Sequence, residues 1–423
     1  MLLPAGRTGC AQRGMVFLYG RHARGVNPFP LDRTSEHPTG TRRSHRKDSA
    51  RALAVPLAIA RQGHPVAAVG SFGTKPLTTP GKMSSVPPVA MWVKHVRVEG
   101  ESMAVKRLLL AKPRGFCAGV DRAIDVVNLA LDLYPGPVYV RKEIVHNVHV
   151  VNELRAKGAI FVDELDEVPD GATVIFSAHG VSPEVRARAM VRGLKVIDAT
   201  CPLVTKVHHE AVRFAEDGRP VVLVGHEGHD EVIGTMGHAP KNIALIGSVE
   251  EARALRVSDP DRIAVITQTT LSLDDTSAII GALRERFPKI TAPTRDDICY
   301  ATQNRQMAVK AIAQRAQVIL VIGSRNSSNS NRLAEVARDA GADAYLIDDI
   351  SQIDPTWLHG IECLGITAGA SAPEHLVEEV VNYFRARGVS EIEEIQAVTE
   401  EVSFALPPEL IRDRAAREAA QLA

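Results

Sequence analysis

Three cysteines each stand in a turn directly ahead of a helix-like stretch: "PRGFCAGVDRAIDVV" around Cys117, "DATCPLVTKVHHEAV" around Cys201 and "DDICYATQNRQMAVKAIA" around Cys299. The intervals, 84 and 98 residues, are each close to one small α/β unit, and self-similarity at such a period marks a repeated architecture. From Met103 onward, apolar strand-like runs alternate with longer helical patterns, which predicts α/β units with parallel sheets. The expected fold is α/β, with three similar small parallel-sheet domains in a pseudo-threefold arrangement over residues 103–200, 201–298 and 299–385. Residues 386–423 form a tail whose "PPELIRDRAAREAAQLA" reads as a helix that docks on the body or frays.

The repeat continues inside each unit. About 25 to 30 residues after its cysteine, each unit ends a strand in a polar loop: "YVRKEIVHN" at His146, "VVLVGHEGH" at His226 and His229, and "VILVIGSRNSSNSN" at Ser327, Ser328 and Asn329. About 60 to 72 residues after its cysteine, each ends another strand with small polar groups: "VIFSAHG" at His179, "IAVITQTT" at Thr269 and Thr270, and "LGITAGAS" at Ser371. Open parallel sheets bind ligands outside the carboxyl ends of their strands. Three such ends facing one centre would gather the cysteines and these polar side chains around a single pocket.

A single buried cysteine in a domain is usually inert. Three at equivalent places in a repeat point elsewhere, because amide groups and the helix dipole favour thiolate at a helix N-terminus. Converging thiolates suit a soft metal: zinc with a histidine or water as fourth ligand, or an iron–sulfur cluster. Close CxxC pairs of the structural-zinc kind are absent from the sequence. A four-iron cluster on three cysteines would leave one iron open as a Lewis acid. Cys363, inside "IECLGITAG", reads as core.

Between Ser324 and Asn331 every residue except Arg325 is serine or asparagine, and a helical pattern follows. One serine would cap that helix. So many neutral donors at a helix N-terminus make an anion site instead, with phosphate or diphosphate as the guest. Imidazoles at the matching positions add donors that carry charge near neutral pH. In "GHEGHDEVIGTMG", Glu231 follows His229 by two residues and is a candidate proton donor if burial raises its proton affinity. Glu227 and Asp230 beside it read equally well as solvated loop charges, and the HxxH of His226 and His229 is a weak metal signal.

Composition excludes several classes. No apolar run approaches the roughly 20 residues a membrane span needs. Residues 1–102 hold 15 Lys and Arg against 5 Asp and Glu, while the remainder holds 35 against 45. With few aromatics, this acidic body argues against nucleic acid as a partner. The first 102 residues are rich in Pro, Gly, Ser and Arg without sustained periodicity and are expected to be a disordered leader or the product of an upstream start codon; an organelle transit peptide is the alternative. Five cysteines, counting Cys10, make an odd number without paired spacing, so no disulfide framework is expected and a reducing cytoplasm fits. Neither GxGxxG nor GxxxxGK[ST] occurs, so electrons for redox chemistry must come from a separate protein.

From about Met103 to the C-terminal region the chain resembles the 4-hydroxy-3-methylbut-2-enyl diphosphate reductase family of the methylerythritol phosphate route to isoprenoids. The likeness rests on "PRGFCAGV", "IVHN", "FSAHGVS", "DATCPLVTKVH", "GHEGHDEV", "TQTTLS", "DDICYATQNRQ", "GSRNSSNSNRL" and "TAGASAP", in that order. The resemblance implies three α/β domains around a central 4Fe-4S cluster bound by Cys117, Cys201 and Cys299, with one open iron for the substrate's allylic hydroxyl. It implies that His146, His179, His229, Thr269, Ser327, Ser328, Asn329 and Ser371 hold the substrate and its diphosphate, and that Glu231 is the acid. The implied reaction is reductive dehydroxylation to isopentenyl and dimethylallyl diphosphate, with electrons from a ferredoxin- or flavodoxin-type donor. One departure is Asp230, where the family pattern more often has proline. Two other readings use the same residues: an iron–sulfur sensor that binds a phosphorylated metabolite without turnover, and a zinc hydrolase of phosphate esters.

Overall fold

The structure, a computed structural model, describes residues 105–292 and 297–422. The expected leader and Cys10 lie outside the described residues.

The described chain opens on β1 (Arg107–Lys112) and passes through Cys117 into α1 (Ala118–Leu133). Then β2 (Val138–Arg141), α2 (Val148–Ala156), β3 (Ile160–Val162), β4 (Thr173–Phe176), α3 (Pro183–Val191) and β5 (Lys195–Asp198) build a four-stranded sheet ordered β3-β2-β4-β5. After Cys201 come α4 (Pro202–Glu216), β6 (Val221–Val224), α5 (Asp230–His238), β7 (Ile243–Ile246), α6 (Val249–Ala254), β8 (Ala264–Thr267) and α7 (Leu273–Arg286). Their sheet is ordered β7-β6-β8, and Thr291 bridges Ala264 in parallel at its edge. After Cys299 follow α8 (Tyr300–Ala313), β9 (Val318–Ile322), α9 (Ser328–Asp339), β10 (Asp343–Ile347), β11 (Cys363–Ala368), α10 (Glu374–Arg385), β12 (Glu391–Gln396) and α11 (Pro408–Leu422). The third sheet runs β10-β9-β11-β1-β12.

All three sheets share one plan. The first strand after the cysteine helix is central, the next two flank it, and the segment leading to the next cysteine lies beyond the third. Thus β5 leads to Cys201, the Thr291 segment to Cys299, and β1 to Cys117. The expected boundaries differ from these pairings at both ends. β1 falls in 103–200 by sequence, yet it pairs with β11 and β12 in the third sheet. Residues 386–423, expected as a tail, supply β12 to that sheet and α11 to the first core. The reason is ring closure: among the described residues the first lead-in strand has no earlier unit to join, and joining the last one buries Leu108 and Leu109 completely.

Local chemistry accounts for these elements. Every residue of β6 (VVLV) and β9 (VILVI) is buried, the pattern of parallel strands covered on both faces. Buried Val120, Ala123, Val126, Val127 and Ala130 line one face of α1 at helical spacing and share a core with Val140, Ile175 and Ile197. Ser182, Ser248, Ser272 and Ser327 cap their helices by accepting from amides in the first turn. Helix α11 docks rather than frays: Leu410 is fully buried in the α1 core, and the Tyr134 hydroxyl donates to Asp413 at 2.6 Å. Among the described residues, no helix is long and apolar enough to cross a membrane.

Candidate active site

Cys117, Cys201 and Cys299 occupy one structural position three times, the N-cap of α1, α4 and α8. Each is tied by its own N–H to the carboxyl end of a strand. Cys117 donates to the Ala370 carbonyl at 3.3 Å, Cys201 to Ala178 at 3.0 Å and Cys299 to Thr269 at 3.0 Å. Those acceptors sit beside Ser371, beside His179, and at Thr269 itself, so each thiol loop is fastened to a loop carrying a candidate substrate group. All three cysteines line one cavity, of about 110 Å³, together with His146, His179, His229 and Glu231. Burial pushes the Cys201 thiol up to about 12 and the Cys299 thiol up to about 11, with the neighbouring thiols adding to the effect. Desolvation therefore outweighs the helix N-termini, contrary to the expectation that these would favour thiolate. A metal cation would reverse that balance by taking the place of the protons.

Three observations fit an iron–sulfur cluster to these residues. The donor set is soft and gathered in one cavity. A Cβ on Gly119 would lie 2.8 Å from the Cys201 Sγ and 3.8 Å from that of Cys117, so glycine keeps the space between two thiols clear. Thr302, whose N–H and hydroxyl lie 3.4 and 3.1 Å from the Cys299 Sγ, supplies hydrogen bonds of the kind that tune cluster sulfurs.

The histidines form a tight group. The rings of His146 and His179 stack at 3.9 Å and 18°, and His229 meets them edge-on at 5.4 and 5.8 Å. Outer groups set their orientation: Glu143 lies 3.1 Å from His146 Nδ1, Ser177 lies 3.4 Å from His179 Nδ1, and His229 Nδ1 accepts from the Glu231 N–H at 3.2 Å. That last bond leaves the His229 Nε2 as the proton-bearing nitrogen. Burial holds His179 well below the ordinary histidine range and brings His229 down to about 4. With the protein's own groups alone, both are neutral donors near pH 7, not the charge carriers expected; a polyanion alongside would draw protons back onto them. His146, His179 and Asp230 offer ligand atoms within 4.8 Å of one another.

Glu231, in the first turn of α5, is only 2 % exposed. Its Oε1 accepts from the Thr269 N–H at 2.7 Å, and its Oε2 lies 3.0 Å from the Thr269 hydroxyl. Burial raises its pKa to about 7 despite both hydrogen bonds. The carboxyl thus holds or yields a proton near neutral pH. Asp230 is half-buried and Glu227 exposed.

Opposite the histidines, Ser327 caps α9, and its Oγ accepts from the Ser330 N–H at 3.3 Å. Ser371 Oγ donates to the His146 carbonyl at 2.9 Å. Asn329 Oδ1 accepts from the Ala370 N–H at 2.8 Å, and its amide nitrogen reaches Thr302 Oγ1 only at 3.5 Å. A Cβ at Gly323 or Gly369 would overlap Ser330, so glycine lets α9 press its N-terminus against the strand ends.

The three cysteines, Glu231 and every residue the resemblance assigns to the substrate line this cavity. His226 does not: it turns toward Ser328 at 3.5 Å and Arg332 at 3.4 Å, so the HxxH is not a joint ligand pair. Cys363 begins β11 away from the cavity. The sequence reading missed Thr302 as a lining residue; its place three residues after a cysteine N-cap, where a capping partner's amide lies, is the signal that finds it. A larger hollow, about 650 Å³, lies beside α4 and the C-terminal segment and holds none of the candidate residues.

A buried acid, three histidines, a serine- and asparagine-rich helix N-terminus and three thiols share one cavity among three parallel α/β sheets, the arrangement of an α/β enzyme. The profile of the LytB protein family matches residues 108–385, and the chain belongs to that family. It is 58 % identical over 320 residues to the 4-hydroxy-3-methylbut-2-enyl diphosphate reductase of Acidothermus cellulolyticus, covering 75 % of this chain and 94 % of that protein. Identity to the reductase of the same name from Leifsonia xyli is 56 % over 313 residues, covering 74 % and 93 %. Among solved structures, the E-1-hydroxy-2-methyl-but-2-enyl-4-diphosphate reductase of Plasmodium falciparum superposes with a TM-score of 0.72 at 36 % identity, covering 74 % of this chain and 99 % of that one.

Proposed function

We propose that this chain reduces (E)-4-hydroxy-3-methylbut-2-enyl diphosphate to isopentenyl and dimethylallyl diphosphate, the last step of the methylerythritol phosphate pathway. The observation that carries this reading is one cavity shared by three N-cap cysteines, the histidine group and the buried acid Glu231. Cys117, Cys201 and Cys299 would hold a 4Fe-4S cluster, which when bound supplies electrons and one iron not capped by protein.

The chain's own residues do the rest. His146, His179 and His229 on one side, and Ser327, Ser328, Asn329 and Ser371 on the other, hold the diphosphate, with Thr269 beside them. Binding energy from that remote group fixes the allylic carbon in place. Glu231, protonated at its Oε2 beside Thr269, delivers a proton to the leaving hydroxyl. In net terms the C–O bond is replaced by C–H: two electrons and two protons enter, and water leaves. Protonation at either end of the allylic system gives the two products. A sensor that only binds metabolite has no use for an acid poised near neutrality. The electrons come from a ferredoxin- or flavodoxin-type protein, and free cysteines suit a reducing cytoplasm.

The test is iron and acid-labile sulfide analysis on anaerobically purified protein, followed by turnover with a reduced donor. About four of each per chain, spectra that change on adding the hydroxylated diphosphate, and formation of both products support the reading. A single zinc, or no product from cluster-loaded protein, refutes it.

A further inference from the structure

Each cysteine helix carries a cation shortly after its cysteine, and each cation grips the approach to the next cysteine around the ring. Arg122 is five residues after Cys117, Lys206 five after Cys201 and Arg305 six after Cys299. Arg122 donates to the carbonyls of Ala199 and Thr200, just before Cys201, at 3.0 and 3.1 Å. Lys206 binds the Asp297 carboxylate, two residues before Cys299, at 2.9 Å. Arg305 donates to the carbonyls of Gly115 and Phe116, just before Cys117, at 2.7 and 2.9 Å. The pattern is cyclic: first helix to second cysteine, second helix to third, third helix to first. The C-terminal segment latches two of the three, through the Ala405 carbonyl on Arg122 at 2.7 Å and Glu400 on Arg305 at 3.0 Å.

We infer that Arg122, Lys206 and Arg305 are positioning residues for the metal centre, each fixing the loop of the next cysteine and together placing three cations behind the thiolates. This rests on the cluster reading given above. Arg305 is fully buried and paired with Glu400 at 3.0 Å, and Lys206 is paired with Asp297 at 2.9 Å, so neutralising either cation leaves a carboxylate unpaired behind a cysteine loop. Three thiolates around an iron–sulfur core form a net anion that becomes more negative on reduction. Cations behind each cysteine therefore favour the reduced state and make electron uptake easier. Arg122 has no carboxylate hydrogen-bonded to it, only carbonyls.

The experiment is an anaerobic redox titration of cluster-loaded protein, with iron and sulfide measured on each sample. Arg122→Gln, Lys206→Gln and Arg305→Gln are compared with Arg122→Lys, Lys206→Arg and Arg305→Lys. Each neutral variant is expected to lower the ratio of reduced to oxidised cluster about tenfold at fixed potential, equivalent to about 59 mV for a one-electron couple. The charge-conserving variants are expected to restore most of it. Should Arg305→Gln fail to fold, Lys206→Gln carries the test, since its side chain is 33 % exposed. Unchanged potentials in the neutral variants at full iron content overturn the inference. A parent protein without a cluster overturns the reading beneath it instead, and the two failures are told apart by the iron analysis.

Discussion

Glu231 and Thr269 are joined twice: the Thr269 N–H donates to Oε1 at 2.7 Å, and its hydroxyl lies 3.0 Å from Oε2. The Thr269 carbonyl accepts from the Cys299 N–H at 3.0 Å. One residue therefore fixes the distance between the acid and a thiol, and a shift in either is felt by the other.

Replacing the acid separates its chemistry from its packing. Glu231→Gln keeps the shape and the acceptor for the Thr269 N–H but removes the transferable proton. Turnover is expected to fall by about 10²–10⁴-fold with KM little changed, measured by steady-state kinetics with a reduced donor. Full turnover in this variant would end the acid assignment.

The pH dependence follows from the same group. Its folded-state pKa, about 7, stands above the ordinary 4.5, so folding favours the protonated form. The stability contributed by that form is complete below about 4.5 and is lost as pH rises through about 7. Turnover that requires the proton should decline above about pH 7. Denaturant unfolding at pH 5 and pH 8 should show a larger loss for the parent than for Glu231→Gln. Thr269→Val removes a hydrogen bond that favours the ionised form, so the alkaline limb should move to higher pH.

Asn329 has two jobs that different substitutions resolve. Asn329→Ala strands the half-buried Ala370 N–H, which should cost about 1 kcal/mol of stability as well as weakening substrate binding. Asn329→Asp keeps the acceptor for Ala370 and loses only the amide donor. Its KM should rise about tenfold, from one lost hydrogen bond to a charged group plus carboxylate–diphosphate repulsion, and its carboxylate, at a position 4 % exposed, should also lower the unfolding temperature. Equal KM values for parent and Asn329→Asp would remove the residue from the anion grip.

Gly119→Ala tests the cluster cradle. Its Cβ would sit 2.8 Å from the Cys201 Sγ, closer than real contacts allow, while alanine itself suits a first helical turn. The variant is expected to fold, with unchanged far-ultraviolet circular dichroism, yet to retain less than half the parent's iron and sulfide. Full cluster content would show that the thiols close by another path.

Local chemistry in the sequence already determined the periodic cysteines, the alternation of strand and helix, and the polar groups after strand ends, because each depends on neighbours along the chain. The serine-rich N-terminus of α9 and the cysteine N-caps were legible for that reason. Sheet membership was not. β1 read as an ordinary strand of the first unit and β12 lay inside the expected tail; a parallel strand buried as β1 is carries no mark of its partner, so only ring closure decided that Leu109 lies opposite Gly365 and Glu393. The division between His226 and His229 was likewise hidden, since two loop histidines three residues apart look equivalent until α5 begins at Asp230 and turns one inward. Tertiary structure alone also decided the proton affinity of Glu231. A carboxyl two residues from a histidine is unremarkable in sequence; desolvation by the surrounding elements, which come from distant parts of the chain, makes it an acid poised near neutrality.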